Sequence, residues 1–483
     1  MIQDRTSRLF KALSLPLRGG EFLFWVLLLL IFSLNLASGT WVMVAFIAGL
    51  LGAICLVMYD LRLVAILWFA GSPTFFVFAN NILDALPFIT VERAIFFGLS
   101  LLTILGFAFR KRKGVPLDSV EKLMLVFLGI VLASMLRNFM FGKIFTIKQD
   151  IAFYVQGYLM PIMSYWLMRR LNWTEKWVAR FLWVIALTSV ILGLQGVMQT
   201  FLGMDFFMPT WVEIINQGRA TGVFSNATEY GIACLIALLF SLLLQTRSSD
   251  GVQWVFLLFL AGAAAVGLGL SQTRAPWLAA IICLAILFKN DPKQRPLLAT
   301  GGILGVIALM VAIPFVIDSD LFQRRILDPQ PIYARVALFA SGFRMLIDYP
   351  VLGIGFGKDT FKLLKADYLT TFLGISYDAG QRTGPPHNEW LGIMTMTGIF
   401  GLASYVSFHV LLWRKLLAVR RDLSLPPFQR LVALYAFAIF ISQIIISFFI
   451  DIGYLLFTTS ATFGFIGLAV GPWGDTREAP HQD

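Results

Sequence analysis

Long hydrophobic segments follow one another almost end to end along this chain, and they limit what it can fold into. A helix needs roughly 17–25 mostly apolar residues to cross the hydrocarbon core of a bilayer. Of the 483 residues, 58% are hydrophobic and 13% are charged, whereas a soluble domain is about a quarter charged. Because so little polar surface is present to face water, we predict an all-α, polytopic transmembrane helix bundle.

The hydrophobic segments predict about 14 membrane spans, with 12–14 as the range. One integral membrane domain, 21–471, is expected to contain all of them, together with one long outside segment, 317–386. Short tails, 1–20 and 472–483, flank the domain. The spans are predicted near residues 21–38, 41–58, 62–80, 94–109, 121–140, 151–168, 177–203, 225–244, 252–270, 275–288, 297–316, 388–413, 430–449 and 454–471.

The positions of the basic residues explain the formal charge of +11. Cytoplasmic loops of membrane proteins carry an excess of lysine and arginine. With the N-terminus inside and the spans alternating, most of the 38 Lys and Arg fall in inside loops, and most of the others lie in 317–386. The charge therefore indicates orientation, with both tails cytoplasmic and membrane lipids as surroundings. A nucleic-acid partner is not expected.

Four arginines run against this trend, because alternation places Arg219, Arg274, Arg335 and Arg344 outside. Arginine binds phosphate through a planar fork of donors that lysine lacks. An arginine at a helix end is also often an interface anchor. Four arginines from distant positions on one membrane face favour a pocket for a polyanion at the outer leaflet, such as a pyrophosphate.

Two neighbouring segments lie inside the long outside segment. Residues 333–347 have apolar residues at three- and four-residue spacing, which predicts an amphipathic helix in the membrane interface. Its apolar face is expected to carry Val336, Phe339, Phe343 and Leu346. The glycine-rich residues 353–358 that follow lack the first glycine and the Ser/Thr of a phosphate-binding loop, so we interpret them as a tight turn.

His387 is a candidate general base, because the ordinary pKa of histidine suits proton transfer at neutral pH. Two prolines precede it, and Asn388 and Glu389 follow, as expected at a rigid, capped helix start. A single histidine is more often structural than catalytic. No second histidine or cysteine has the spacing of a metal site. Asp318 and Asp320 are more typical of a solvated boundary, so no metal is predicted.

Four segments between residues 215 and 405 occur together in a recognisable order: Gly218–Phe224 with Asn226, Ser271–Trp277, the Arg335 helix with Asp348–Gly355, and His387–Leu391 with Gly398–Gly401. This series resembles the O-antigen ligase and Wzy-type polysaccharide polymerase superfamily, glycosyltransferases of the bacterial inner membrane that act on lipid-linked glycans. Two departures from the family pattern are visible. Gln272 and Thr273 precede Arg274, and Ala227 follows Asn226 where the family often has Asn-Pro-Asn.

The resemblance implies an inverting glycan transfer at the periplasmic face without metal, cofactor or nucleotide sugar. The donor would be a glycan on undecaprenyl pyrophosphate, and the acceptor a further glycan or lipid A-core. Arg219, Arg274 and Arg335 would bind the pyrophosphate, and His387 would be the catalytic base. Arg344, Asn388 and Glu389 would support them. Other polysaccharide-assembly proteins are conceivable partners.

Three alternatives stay open from the sequence. Within the family, the acceptor distinguishes a ligase from a polymerase and from an enzyme that modifies protein. Outside it, a transporter or flippase of lipid-linked oligosaccharide would have ionisable residues near the midplane and interrupted helices. In a scaffold subunit, the arginines would serve only as anchors.

Overall fold

The computed structural model describes residues 60–71, 73, 91–108, 115–140, 147–203, 219–224, 226–316, 330–357, 359–368, 387–455 and 457–474. Within these residues the regular structure is helical, as predicted, and no strand occurs. The helices are α1 (Leu61–Gly71), α2 (Val91–Ala108), α3 (Ser119–Met140), α4 (Ile147–Tyr154), α5 (Met160–Arg170), α6 (Glu175–Phe201), α7 (Ala227–Gln245), α8 (Gly251–Leu270), α9 (Arg274–Asn290), α10 (Arg295–Val316), α11 (Gln330–Asp348), α12 (Thr360–Tyr368), α13 (Glu389–Arg421), α14 (Pro427–Ser447) and α15 (Thr458–Val470).

Six of the described helices are long and apolar enough to cross a membrane: α3, α6, α7, α8, α13 and α14. The predicted spans 21–38 and 41–58 lie outside the described residues, as do the tail 1–20, most of the tail 472–483, and Asp318 with Asp320. The six long apolar helices support an integral membrane protein.

The helix α7 forms the centre of the bundle. In its most apolar stretch 94% of the residues are buried, against 33% in α8. Helices α6 and α8 pack against α7, and α15 packs against α5. Because α8 leaves most of its apolar side chains uncovered by protein, it is placed to face lipid.

The predicted span 388–413 is not one straight helix, because α13 breaks at Gly398, where φ is 70° and ψ is −165°. In a straight helix, residues 390 and 409 would be about 28 Å apart. The rings of Trp390 and His409 are instead 5.5 Å apart, and those of Trp390 and Tyr405 are 5.1 Å apart. The short arm, 389–397, therefore folds back along the long arm, 399–421.

The residues after α11 fill this break. The Ile399 amide donates to the Pro350 carbonyl at 2.9 Å, and the Ile354 amide donates to the Thr395 carbonyl at 2.8 Å. Gly353 and Gly398 have positive φ, and a Cβ on either would collide with backbone of the other segment. The glycine-rich run, described here to residue 357, thus begins in a tight turn, as predicted, and this turn joins two of the four motifs.

The amphipathic helix α11 packs against the short arm of α13 through a different face from the apolar face predicted for the membrane interface. Ala337, Leu338, Ser341, Gly342 and Met345 are buried, and Gly342 packs against Leu391 and Thr395 of the short arm. The aromatic side chains at positions 339 and 343 are exposed. The face expected to anchor the helix is therefore uncovered by protein, because small residues allow the closer approach to α13.

A buried charged cluster ties α3, α5 and α13 together at the ends assigned to the inside. Glu121 accepts from Arg169 at 2.6 Å and also pairs with Arg170, and Asp118 pairs with Lys415. Several of the basic residues that indicate orientation therefore also hold helices together.

Candidate functional site

The backbone at His387 is held in an unusual conformation by one carboxylate. His387 has a φ of 54°, in the left-handed region that non-glycine residues rarely adopt. Its amide donates to Asp451 Oδ2 at 2.9 Å, and the Asn388 amide donates to Asp451 Oδ1 at 3.2 Å. The side chain of His387 is exposed, whereas Asp451 is buried. Asp451 therefore fixes the direction in which the exposed imidazole leaves the chain.

Asn388 and Glu389 complete the start of the short arm. Asn388 caps the helix as predicted, since its Oδ1 accepts from the Leu391 amide at 2.9 Å, and its Nδ2 donates to the Phe448 carbonyl at 3.0 Å. Glu389 is buried and accepts from the Tyr158 hydroxyl at 2.8 Å and from the Gly453 amide at 3.2 Å. Asn388 and Glu389 thus connect the chain next to His387 to the turn between α14 and α15.

This turn, residues 448–458 with 456 undescribed, joins distant parts of the chain and is called the α14–α15 turn. Besides Asp451 and Gly453, it contains the amides of Phe457 and Thr458, which donate to Glu229 Oε1 at 2.8 and 3.3 Å. Because Glu229 lies in the first turn of α7, the turn connects the start of α7 with His387.

Tyr158 reaches Glu389 from a local widening of the helix. Residues Val155–Leu159 form a single π-helical turn between α4 and α5. Such insertions frequently occur at functional sites because they redirect side chains. Here the phenol is buried beside Glu389, and Gly157 packs directly on Gly453.

Arg219 begins a short loop, residues 219–224, that leads to α7. Gln199 of α6 holds this loop, since its Oε1 accepts from the Thr221 and Gly222 amides at 2.9 and 2.8 Å and its Nε2 donates to the Gly222 carbonyl at 2.9 Å. The Ala220 amide donates to the Leu270 carbonyl at 3.2 Å. The Arg219 loop therefore lies against the end of α8, four residues before Arg274.

Arg274 is the first residue of α9, after a tight turn from α8. Gln272 has a φ of 46°, and the hydroxyls of Ser271 and Thr273 are 2.9 Å apart and buried. The two residues that depart from the family pattern, Gln272 and Thr273, thus form the reversal between the helices. Trp277 closes the turn by donating to the Leu268 carbonyl at 2.8 Å.

Arg335 interacts electrostatically with Arg274 and contacts the α14–α15 turn. Burial lowers the pKa of the Arg335 guanidinium, and the charge of Arg274 lowers it further. The guanidinium carbon lies 5.8 Å from the centre of the Phe449 ring. Within the described residues, neither Arg274 nor Arg335 has a carboxylate partner in an ion pair. Two cations in electrostatic contact without such a partner form a site that favours a polyanion.

Arg344 is not brought to this group by α11. It lies nine residues after Arg335, about two and a half helical turns, and so on the opposite face. Its side chain is exposed. A further arginine, Arg137, donates to the Gly353 carbonyl at 2.5 Å and lies against Tyr349. Arg137 therefore supports the turn after α11.

The sequence did not identify three residues that position the site: Asp451, Tyr158 and Gln199. Each acts on a partner more than 20 residues away, so no local spacing indicates it. One signal was present for Asp451, an acid in a short turn between two apolar helices. A charge in such a place is costly unless it is paired.

Residues 256–406 match the family model for O-Antigen ligase. This match confirms the resemblance to the O-antigen ligase and Wzy-type polymerase superfamily. The matched segment contains Arg274, Arg335 and His387, whereas Arg219 and Asp451 lie outside it. No curated protein matches the chain.

Proposed function

We propose that this protein is an inverting, metal-independent glycosyltransferase that moves a glycan from undecaprenyl pyrophosphate to an acceptor. The family match supports an O-antigen ligase or polymerase type of function in general. The observation that carries the finer proposal is that Arg335 and His387 both contact the α14–α15 turn, while Arg274 lies within electrostatic reach of Arg335.

The arginines bind the pyrophosphate of the donor in this proposal. Arg274 and Arg335 repel one another, and a diphosphate between them converts that repulsion into two attractions. Arg219 is held on the same side by the contact of its loop with Leu270. As the bond to the sugar breaks, negative charge grows on the leaving pyrophosphate. The arginines then stabilise the transition state more than the ground state.

His387 accepts the proton of the acceptor. The hydroxyl oxygen of the acceptor attacks the anomeric carbon, the bond from that carbon to the pyrophosphate oxygen breaks, and the hydroxyl proton passes to the imidazole. The electron pair of the broken bond leaves with the undecaprenyl pyrophosphate. Attack opposite the leaving group inverts the anomeric centre. Asp451, Asn388 and Glu389 position His387 and do not touch substrate.

The folded short arm supports a reaction in a recess of the helix bundle rather than in open solution. Trp390 contacts Tyr405 and His409 of the long arm, and these are about two to three turns beyond the break. His387, three residues before Trp390, is therefore recessed along the long arm. We assign this face, with α11 and α12, to the periplasm and both termini to the cytoplasm.

The acceptor is a glycan carrying a free hydroxyl, either a lipid-linked repeat or lipid A-core. A polymerase uses the lipid-linked repeat and a ligase uses lipid A-core. An enzyme that modifies protein would use a protein acceptor instead. Offering each acceptor to the reconstituted protein with one common donor distinguishes the three.

A transporter or flippase of lipid-linked oligosaccharide is the second candidate, and two observations favour it. α13 is interrupted at Gly398, and Glu229, Glu389 and Asp451 are buried carboxyl groups. Glu229 and Glu389 accept hydrogen bonds from backbone amides of the α14–α15 turn, and Asp451 accepts from the amides of His387 and Asn388. They therefore act as structural ties, which favours an enzyme over alternating access.

Reconstitution with a lipid-linked oligosaccharide tests the proposal. Arg219→Ala and Arg335→Ala are expected to insert normally and to lose transfer, because the leaving pyrophosphate loses a cation. Arg344→Ala is the matched control, on the opposite face of the same helix as Arg335, and should keep most activity. Movement of the donor across the bilayer by wild-type protein, without any glycan transfer, would support the flippase instead.

A further inference from the structure

We propose that Gln199 is a positioning residue for the donor site and that it sets the place of Arg219 through the backbone of the Arg219 loop. This inference rests on the proposed function and adds a residue to it from α6, outside all four motifs. Gln199 acts on Arg219 through Thr221 and Gly222.

The amide of Gln199 satisfies three backbone groups at once. Its oxygen accepts from two consecutive amides, at 2.9 and 2.8 Å, and its nitrogen donates to a carbonyl of the same loop at 2.9 Å. No other natural side chain of this length offers both an acceptor and a donor in one plane without charge. The glutamine therefore matches the loop more specifically than a general polar contact would.

The conformation of the loop explains why such a tie is needed. Gly222 has a φ of 58°, and a Cβ there would lie 2.7 Å from Gln195 Oε1 and from the Tyr230 ring. Thr221, Gly222 and Val223 are buried. A buried loop outside regular structure must find partners for its backbone groups, and Gln199 supplies them. If it is lost, the loop must shift to find others, and Arg219 shifts with it.

Gln195 provides a matched comparison one helical turn earlier. It lies on the same face of α6, packs on the same Gly222 and is fully buried. Within the described part of the chain, neither atom of its amide has a hydrogen-bond partner. Replacing Gln195 with methionine therefore removes an amide from the same place without releasing the Arg219 loop.

The test compares Gln199→Met with Gln195→Met in reconstituted protein. Equilibrium binding of undecaprenyl pyrophosphate is measured first, and KM for the donor and for the acceptor afterwards. We expect Gln199→Met to weaken pyrophosphate binding and to raise the donor KM by about 10- to 100-fold, as small displacements of a positioning group do. The acceptor KM should stay unchanged, and Gln195→Met should behave as wild type.

The outcomes separate this inference from the proposed function. Equal binding by wild type and Gln199→Met overturns the positioning role. An equal loss in both glutamine variants, or an equal rise in both KM values, also overturns it, because general damage to the fold would produce that result. Wild type that binds undecaprenyl pyrophosphate but transfers no glycan overturns the proposed function, while the binding comparison still decides the role of Gln199. Wild type that binds none overturns both.

Discussion

At the scale of single residues, the site depends on buried carboxylates that bind backbone amides. Asp451 lies outside the spans, and burial raises its pKa to about 7 against an ordinary value of 3.8, although the amides of His387 and Asn388 oppose this shift. The sequence singled out His387 and the arginines as candidates because their residue types are rare in the loops that it assigns to the outside. Asp451 was not identified as a site residue, because only the folded chain brings it to His387.

The pKa of Asp451 predicts how stability depends on pH. Between pH about 4 and 7 the folded protein keeps the proton that the unfolded chain has released. The free energy of unfolding should therefore fall as pH rises through this window, and the loss should be complete above pH 7. Thermal unfolding at pH 5 and pH 8 measures this difference. In Asp451→Asn the difference should be smaller, and an unchanged difference would assign it to other groups.

Asp451→Asn should also lower the rate of transfer. The amide keeps the volume but presents a donor to one of two backbone donors, so His387 or Asn388 loses its partner. An unsatisfied buried group costs about 1–3 kcal/mol, which corresponds to a rate loss of roughly 5- to 150-fold if it falls on the transition state. Single-turnover transfer by the correctly inserted variant measures this. A wild-type rate would show that Asp451 has no part in placing His387.

The two glutamates Glu121 and Glu175 should contribute differently to the free energy of unfolding. Glu121→Gln leaves the buried Arg169 and Arg170 without their carboxylate, at a cost of about 3–5 kcal/mol. Glu175→Gln removes a surface pair with Arg247 and should cost less than about 1 kcal/mol. Melting temperatures of the two variants in one detergent compare them. Equal losses would contradict the structural role of the buried cluster.

At the scale of elements, hydrophobic length predicted the helices well and their interruptions poorly. Helices α3, α6, α7 and α8 lie where apolar runs predicted them, because length and composition decide whether a segment crosses lipid, whereas the predicted span 151–168 consists of α4, a π-helical turn and α5. The fold-back at Gly398 was missed, since Gly398 lies within a continuous apolar run that has no other sign of a break. The contact of α11 with α13 was also not predicted, because it is made by small residues such as Gly342 that give no hydrophobic signal.

The break predicts a contrast between two glycine substitutions. Gly398→Ala places a Cβ in backbone geometry that is essentially restricted to glycine, and against the carbonyl of Val351. It should lower the free energy of unfolding by at least about 1–3 kcal/mol. Gly269→Ala, in α8 with open space around it, should be neutral or slightly stabilising. Fluorescence-detected size exclusion after heating compares the two, and equal survival would argue against the fold-back.

At the scale of the whole molecule, the account depends on one orientation in the membrane. From the excess of basic residues we expect the α13–α14 connection in the cytoplasm and α11 on the other side. Asp422 in that connection and Arg344 on α11 are both exposed, and Cys234 and Cys283 are buried. Arg344→Cys should react with an impermeant thiol reagent from the periplasmic side, and Asp422→Cys only from the cytoplasmic side. The reverse labelling pattern would place the candidate site on the cytoplasmic face and contradict the proposed function.

The central claim is that His387, held by Asp451 beside the arginine pair, takes the proton of the acceptor during glycan transfer. The most direct test is the rate of transfer from undecaprenyl-pyrophosphate-linked oligosaccharide by wild type and by His387→Ala in the same liposomes. We expect the variant to insert normally, to bind the donor as wild type does, and to lose transfer by at least about 100-fold. Full transfer by His387→Ala would contradict the mechanism.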